Sequence, residues 1–351
     1  MHLLFWARRL FFLLKIDKIL IKPRAAIILT LNLCHMEMSE RWDGPMSVSL
    51  FAPGLDASFA DDAIDGLRLC WPVLREFMTF HLVYPTDTPA NMTNTGTFAY
   101  LSCKDITRRL MTQKSVMQTD EELAYNIQYP HNLLRNIARE GALTEFDLVV
   151  DAGMTPSDNL RPLFIEFARI NGLFSKVGDE KETQNIAYVL PTYEVRSEVR
   201  LPYTKKELQG LVNDKNARIL MQETCWFCQK ATDYDRWIAE SAQTDFGVSY
   251  PVPFTKTWMP FFISRRKTTP KFDENFYYYG YDRLMQICEM KISSFSFQVL
   301  SQGFLVSRGY KVKASLSAEE KRVRDDWKEF KANFAKALEK HGHTDEAYQQ
   351  C

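Results

Sequence analysis

The sequence predicts an α/β fold in which a mostly parallel central sheet is flanked by helices. Three observations carry this expectation. Apolar segments bounded by turn residues alternate with segments of helical spacing, the pattern of parallel-sheet domains. A helix starting near Pro130 and running through Leu133, Leu134 and Ile137 is followed at once by the apolar strand FDLVV, residues 146–150. That strand delivers an acid, Asp151, at its carboxyl end, where open α/β sheets bind their ligands.

Composition sets the outer limits. The chain has 351 residues, 46% hydrophobic and 25% charged, enough to bury a substantial core. Lysine plus arginine total 44 and aspartate plus glutamate total 44. Without a basic surplus to neutralise phosphates, a nucleic-acid partner is excluded.

Residues 1–24 form an apolar, basic segment. Its first 22 residues, MHLLFWARRLFFLLKIDKILIK, are interrupted by Arg8, Arg9, Lys15, Asp17 and Lys18. A membrane-spanning helix needs about 20 mostly apolar residues, and no such run is written here. Drawn as a helix, Arg8, Lys15, Lys18 and Lys22 share one face, which suits an amphipathic helix lying on a membrane. A helix docked on the protein and a degenerate signal-anchor are the alternatives.

The domain proper is expected over residues 25–314. Residues 25–31 (AAIILTL) read as its first strand and residues 46–52 (MSVSLFA) as its second, closed by Pro53 and Gly54. Residues 61–79 carry helical spacing that Pro72 bends or splits. Residues 81–84 make a third short strand. The polar loop 86–96 holds Asn91-Met92-Thr93, an acceptor sequon for N-glycosylation. The helix after Pro130 should end near Gly141. Within residues 315–351, Ser317 and Glu320 make a capping box. Val323, Trp327, Phe330, Phe334 and Leu338 then form one apolar stripe, so this amphipathic helix should pack on the domain.

Seven cysteines leave one over if the rest pair. Cys225-Trp226-Phe227-Cys228 has zinc-ligand spacing, but no second CxxC or H-x3-H completes a site. A disulfide or a pair of buried thiols fits better. In the aromatic-rich second half, Asp273 and Glu274 stand just ahead of the run FYYYGY. Pyranose rings stack on aromatic faces while their hydroxyls need acceptors, so such a cluster suits a sugar site. A core aromatic cluster is the alternative.

Ordered blocks of the chain resemble glycosyltransferase family 49, which includes glucuronyltransferases of α-dystroglycan glycosylation. The signature stretch is Tyr129-Pro130-His131-Asn132-Leu133-Leu134-Arg135-Asn136-Ile137-Ala138-Arg139. The likeness continues through FDLVVDAGMTPSDNL (146–160), VLPTYEVR (189–196), residues 250–262, FDENFYYYGYDR (272–283) and VLSQGFLVSRGYK (299–311). It implies a GT-A-type nucleotide-sugar-binding domain in a type II Golgi membrane protein with its catalytic domain in the lumen. The implied reaction is transfer of a sugar, glucuronic acid or a relative, from a UDP donor to a glycan acceptor with inversion. The implied residues are Asp151, Arg135 and Asn136 for the donor, and Trp258, Phe261 and Tyr279 for the acceptor cleft. Asp273 and Glu274 remain to deprotonate the acceptor hydroxyl.

The same likeness implies Mn²⁺ on the diphosphate, held by an Asp-x-Asp and a C-terminal histidine. Here Asp151-Ala152-Gly153 keeps only the first aspartate, and Ser307 stands in place of the histidine. Met259 occupies a position where relatives tend to carry glutamate. Weak or absent Mn²⁺ binding is therefore expected, with basic residues such as Arg308 or Arg265 able to substitute at the diphosphate. Two functions follow: a transferase with a modified donor site, or a pseudoenzyme that binds a glycan, a nucleotide-sugar or a partner transferase.

Overall fold

A computed structural model describes residues 10–15, 35–87, 89–91, 98, 101–117, 130–174, 185–275 and 283–311. The expected strand at 25–31, the helix after Ser317 and Tyr279 lie outside the described residues. In chain order the first elements are β1 (Leu10–Lys15), α1 (His35–Trp42), β2 (Met46–Phe51), α2 (Leu55–Cys70), α3 (Pro72–Phe77), β3 (Met78–Val83) and α4 (Cys103–Met117). The middle of the chain supplies α5 (His131–Glu140), β4 (Phe146–Asp151), β5 (Met154–Pro156), α6 (Leu160–Ile170), β6 (Ile186–Leu190), β7 (Thr192–Val195) and α7 (Lys205–Asn213). It ends with β8 (Ala217–Ile219), α8 (Tyr234–Ala239), β9 (Val248–Val252), β10 (Phe261–Arg265), α9 (Leu284–Ile292), β11 (Ser296–Leu300) and β12 (Leu305–Arg308).

The α/β class is as the sequence predicts, and the sheets are mixed. The larger sheet runs β3-β2-β1-β4-β10-β6-β11-β9, and a smaller one runs β5-β12-β7-β8. From β3 to β4 every pairing is parallel. β10 is antiparallel to both neighbours, β4 and β6, and so joins two parallel units. Buried strands of either orientation read as the same short apolar run, so the sequence pattern does not distinguish them.

One expectation is corrected at the N-terminus. Leu10–Lys15 do not form a helix on a membrane; they form β1, paired in parallel between β2 and β4. A run of five apolar residues is short for a helix and long enough for a strand, and two flanking strands satisfy its backbone groups. Among the described residues no helix is long and apolar enough to cross a membrane.

Elsewhere local chemistry sets the boundaries. Pro72 sits at the first position of α3, so the predicted helix is split at Trp71 rather than bent. The Cys70–Cys103 disulfide ties α2 to α4. α5 ends at Glu140, as expected, but Gly141 serves close approach and not a left-handed cap. Its φ is −68°, and an added Cβ would lie 2.5 Å from His81 Nε2. His81, hydrogen-bonded to Ser47, is thus packed beneath the end of α5.

Among the described residues, two large apolar cores flank the sheets. One includes Trp42, Val48, Leu148, Phe164 and Ile263; the other includes Tyr193, Trp237, Trp258, Phe297 and Phe304. α9 is buried from Leu284 through Met290, including the polar Gln286 and Glu289. Burial pushes the Glu289 carboxyl up to about 7, helped by the negative charge of Asp273. The folded state therefore holds a proton on Glu289 that the unfolded chain, near its ordinary 4.5, releases. Stability from this group is present below that unfolded value and is lost as pH rises toward about 7. Replacing Glu289 by Gln should raise stability at pH 8 by about 1–3 kcal/mol and change it far less at pH 4.5. Urea unfolding of both proteins at the two pH values checks this.

Candidate active site

The site is built from helix α5. Asn132, Arg135, Asn136 and Arg139 recur at helical spacing and are all buried, while Leu134 and Ala138 face apolar surroundings. These polar side chains hold the segment after β10. Asn132 Nδ2 donates to the Asp273 carbonyl at 2.7 Å, and Asn136 Nδ2 donates to the Phe272 carbonyl at 2.8 Å. Asn136 Oδ1 accepts from Phe272 N–H at 3.0 Å. Arg139 donates to the carbonyls of Arg266, Thr269 and Pro270 and ion-pairs with Asp147 at 3.0 Å. Asp147 and Asp151 are four apart on β4, so they lie on one face of the strand, opposite the arginines of α5.

At the carboxyl end of β4 lies a cleft, as the sequence predicts. Arg135, Asp151, Met259, Phe261, Arg283 and Lys311 are among its lining residues. Asp151 Oδ1 accepts from Arg283 Nη2 at 2.8 Å and from Arg135 Nη2 at 3.2 Å. Arg283 stacks 4.2 Å over the Phe261 ring, and Arg135 lies 5.0 Å from the centroid of Phe272. Arg135, in turn, donates to Asn132 Oδ1 at 2.8 Å. Among the described residues, three cations thus line the cleft against one carboxylate. Such a surplus in a partly desolvated cleft favours anions.

The fold brings the three expected metal-ligand positions together. Gly153 follows Asp151 on the turn into β5, and Ser307 on β12 pairs with Met154. The residues present do not fit Mn²⁺. The remaining carboxylate is matched by two guanidiniums, glycine has no side chain, and a neutral hydroxyl is a poor substitute for imidazole. Among the described residues no group of three or more His, Cys, Asp or Glu side chains is placed to hold a metal ion. Gly153 has φ +83°, with open space around the position of a Cβ.

Other sequence-derived candidates fall in different places. Trp258 is fully buried, donating to Thr232 Oγ1 and packed edge-on against Phe297, so it belongs to the core and not to the sugar cleft. Asp273 and Glu274 adjoin α5 but do not line the cleft. Asp273 accepts from Asn275, whereas the exposed Glu274 accepts from Asn136 Nδ2 at 2.8 Å. Asn136 therefore orients Glu274 and does not reach the cleft itself. Neither substitute cation is at the cleft. Arg308 donates to the Ser197 and Val199 carbonyls, and Arg265 pairs with Glu145 at the far end of β4. Arg283 and Lys311 line the cleft instead. Both close blocks of the family-like sequence, and their positions at block ends were the signal available. The CxxC pair is the disulfide Cys225–Cys228. Asn91 is exposed, its N–H bonded to the Gly54 carbonyl.

Residues 32–341 match the family described as glycosyl-transferase for dystroglycan. Beta-1,4-glucuronyltransferase 1 of Bos taurus is 36% identical over 288 residues, covering 80% of this chain and 66% of its own length. The Homo sapiens protein of that name is 35% identical over the same coverage. A glycosyltransferase-like protein of Dictyostelium discoideum is 26% identical over 271 residues, covering 77% of this chain and 34% of its own. The chain thus spans slightly under two thirds of the mammalian relatives. A crystal structure of S. aureus TarS 1–349 shows a looser likeness, with TM-score 0.41 and 11% identity, covering 86% of this chain and 60% of that one. On the sequence match, and with its signature helix buttressing the cleft, the chain belongs to glycosyltransferase family 49.

Proposed function

We propose that this chain transfers a sugar, glucuronic acid by analogy with its relatives, from a UDP donor to a glycan acceptor with inversion. The observation that carries the reading is the cationic cleft at the end of β4, where Arg135, Arg283 and Lys311 gather. Departure of UDP leaves negative charge on the diphosphate, and fixed guanidiniums in a partly dry cleft stabilise such charge without reorganising. Arg283 Nε is buried with no hydrogen-bond partner among the described residues, so this side chain retains an unused donor. The acceptor hydroxyl attacks the anomeric carbon, the bond from that carbon to the diphosphate oxygen breaks, and UDP departs. Glu274, oriented by Asn136, is assigned the hydroxyl proton, which reaches it through a water because its carboxylate does not itself line the cleft. The names of the relatives favour transfer over a role in binding alone.

The same reading places the protein in the lumen of the Golgi. The Cys70–Cys103 and Cys225–Cys228 disulfides and an exposed acceptor asparagine at Asn91 support an oxidising, glycosylating compartment. Attachment to the membrane, and in a type II orientation, rests on the family analogy.

The function is tested by measuring UDP release from a panel of UDP-sugars with glycan acceptors. Turnover of a UDP-sugar only when acceptor is present supports the reading; no turnover of any donor overturns it. Glu274→Gln should lower kcat by about 10²–10⁴-fold while leaving UDP affinity within twofold. Arg283→Met should weaken UDP about tenfold or more, with partial recovery in Arg283→Lys.

The metal site should be restorable. Gly153→Asp with Ser307→His supplies the two missing ligands and should make UDP affinity depend on Mn²⁺ by calorimetry. The φ of +83° at residue 153 should cost roughly 1 kcal/mol of stability on that substitution.

A further inference from the structure

A second concavity adjoins the cleft and is used by nothing described so far. Its walls include Ile219, Trp226 and Tyr234, and its rim carries Lys230, Asp233 and Asp235. With about 500 Å³ of room it falls in the range of small-ligand sites, roughly 300–1,000 Å³. Trp226 is 58% exposed and Phe227 40% exposed, an unusual cost for side chains that burial would stabilise. They sit on a single 3₁₀ turn, Trp226–Cys228, closed by the Cys225–Cys228 disulfide. A cross-link around so short a loop restrains the backbone that carries the indole, so less ordering remains to be done when a ligand arrives.

The turn is also stitched to the cleft. Met259 N–H donates to the Cys228 carbonyl at 2.9 Å, and Gln229, buried, accepts from Tyr234 Oη at 3.0 Å. Gln229 lines both the cleft and the groove, and Met259 lines the cleft beside it. A molecule lying in the groove therefore points one end toward the place where the donor would sit.

Resting on the transferase reading, we infer that this groove seats a neutral pyranose ring of the acceptor glycan, stacked on Trp226. The ring's C–H face packs on the indole, and its hydroxyls donate to the carboxylates of Asp233 and Asp235, both exposed. The rim sets two carboxylates against one ammonium, Lys230, which lies 5.1 Å from the centroid of the Trp226 ring, and this net negative charge disfavours a uronic acid. Asp233 Oδ1 already accepts from Arg236 N–H at 2.9 Å, which fixes its orientation while its second oxygen stays available.

The test titrates the intact chain with xylobiose, cellobiose and lactose, and with glucuronic acid as the charged control, following saturation-transfer NMR and tryptophan fluorescence. UDP is titrated in parallel by calorimetry. At least one neutral disaccharide should bind, at least tenfold tighter than glucuronic acid. Trp226→Ala should weaken it at least tenfold, Trp226→Phe should retain part of the affinity, and UDP affinity should stay within twofold. Because Trp226 is exposed, the thermal midpoint of Trp226→Ala should equal that of the parent. Preference for glucuronic acid, no binding of any neutral disaccharide, or binding indifferent to Trp226→Ala would overturn the inference. So would light scattering that shows a dimer lost in Trp226→Ala, since the groove would then be a protein interface. UDP binding without saccharide binding defeats this inference alone, whereas loss of UDP binding in the parent defeats the transferase reading.

Discussion

The buried polar face of α5 is the constraint on which the rest of the site depends. Four side chains at helical spacing hold β4 through Asp147 and Asp151 and hold the segment after β10 through its backbone carbonyls. Arg139 and Asp147 are each almost wholly buried, so removing either leaves an uncompensated charge, a loss of about 3–5 kcal/mol. The pairing also fixes geometry. It sets the height of Asp151 at the strand end, the path of residues 266–274 and, through Asn136, the aim of Glu274.

Much of this frame was legible in the sequence because it rests on local pattern. FDLVV followed by Asp151 could only be a buried strand ending in an acid, and Pro72 dictated a break. What was not legible required partners distant in the chain. Arg135 meets Arg283 across Asp151, a juxtaposition that no spacing rule encodes. Trp258 looked like a sugar platform because an exposed and a buried tryptophan read alike in sequence; its bond to Thr232 places it in the core. Leu10–Lys15 read as part of a longer helix because basic residues recur on one helical face, whereas pairing with two strands decided the outcome. Glu289 lay unnoticed inside an apolar helix, although a lone acid between Ile287 and Met290 was itself a signal of an unusual environment.

The departures from the family pattern acquire a common meaning at the cleft. Where relatives are expected to hold a divalent cation between carboxylates and a histidine, this chain keeps one carboxylate and surrounds it with guanidiniums. Asp151 accepts from both Arg135 and Arg283, and on the proposed reading it is a counter-ion that orients them. On the proposed reading, positive charge at the diphosphate comes from side chains where the family pattern uses an ion. Arginine suits this exchange, since its planar fork matches phosphate oxygens and stays charged at any physiological pH.

Asp151→Asn separates the two roles. An asparagine oxygen still accepts the arginine hydrogen bonds, yet the carboxylate charge that competes with a diphosphate is gone. UDP affinity of this variant, measured by calorimetry in the presence of a chelator, should equal the parent's within threefold or exceed it. A loss of tenfold or more, with the fold intact by thermal unfolding, would contradict the account; so would a UDP affinity of the parent that rises with Mn²⁺ and loses that rise in Asp151→Asn.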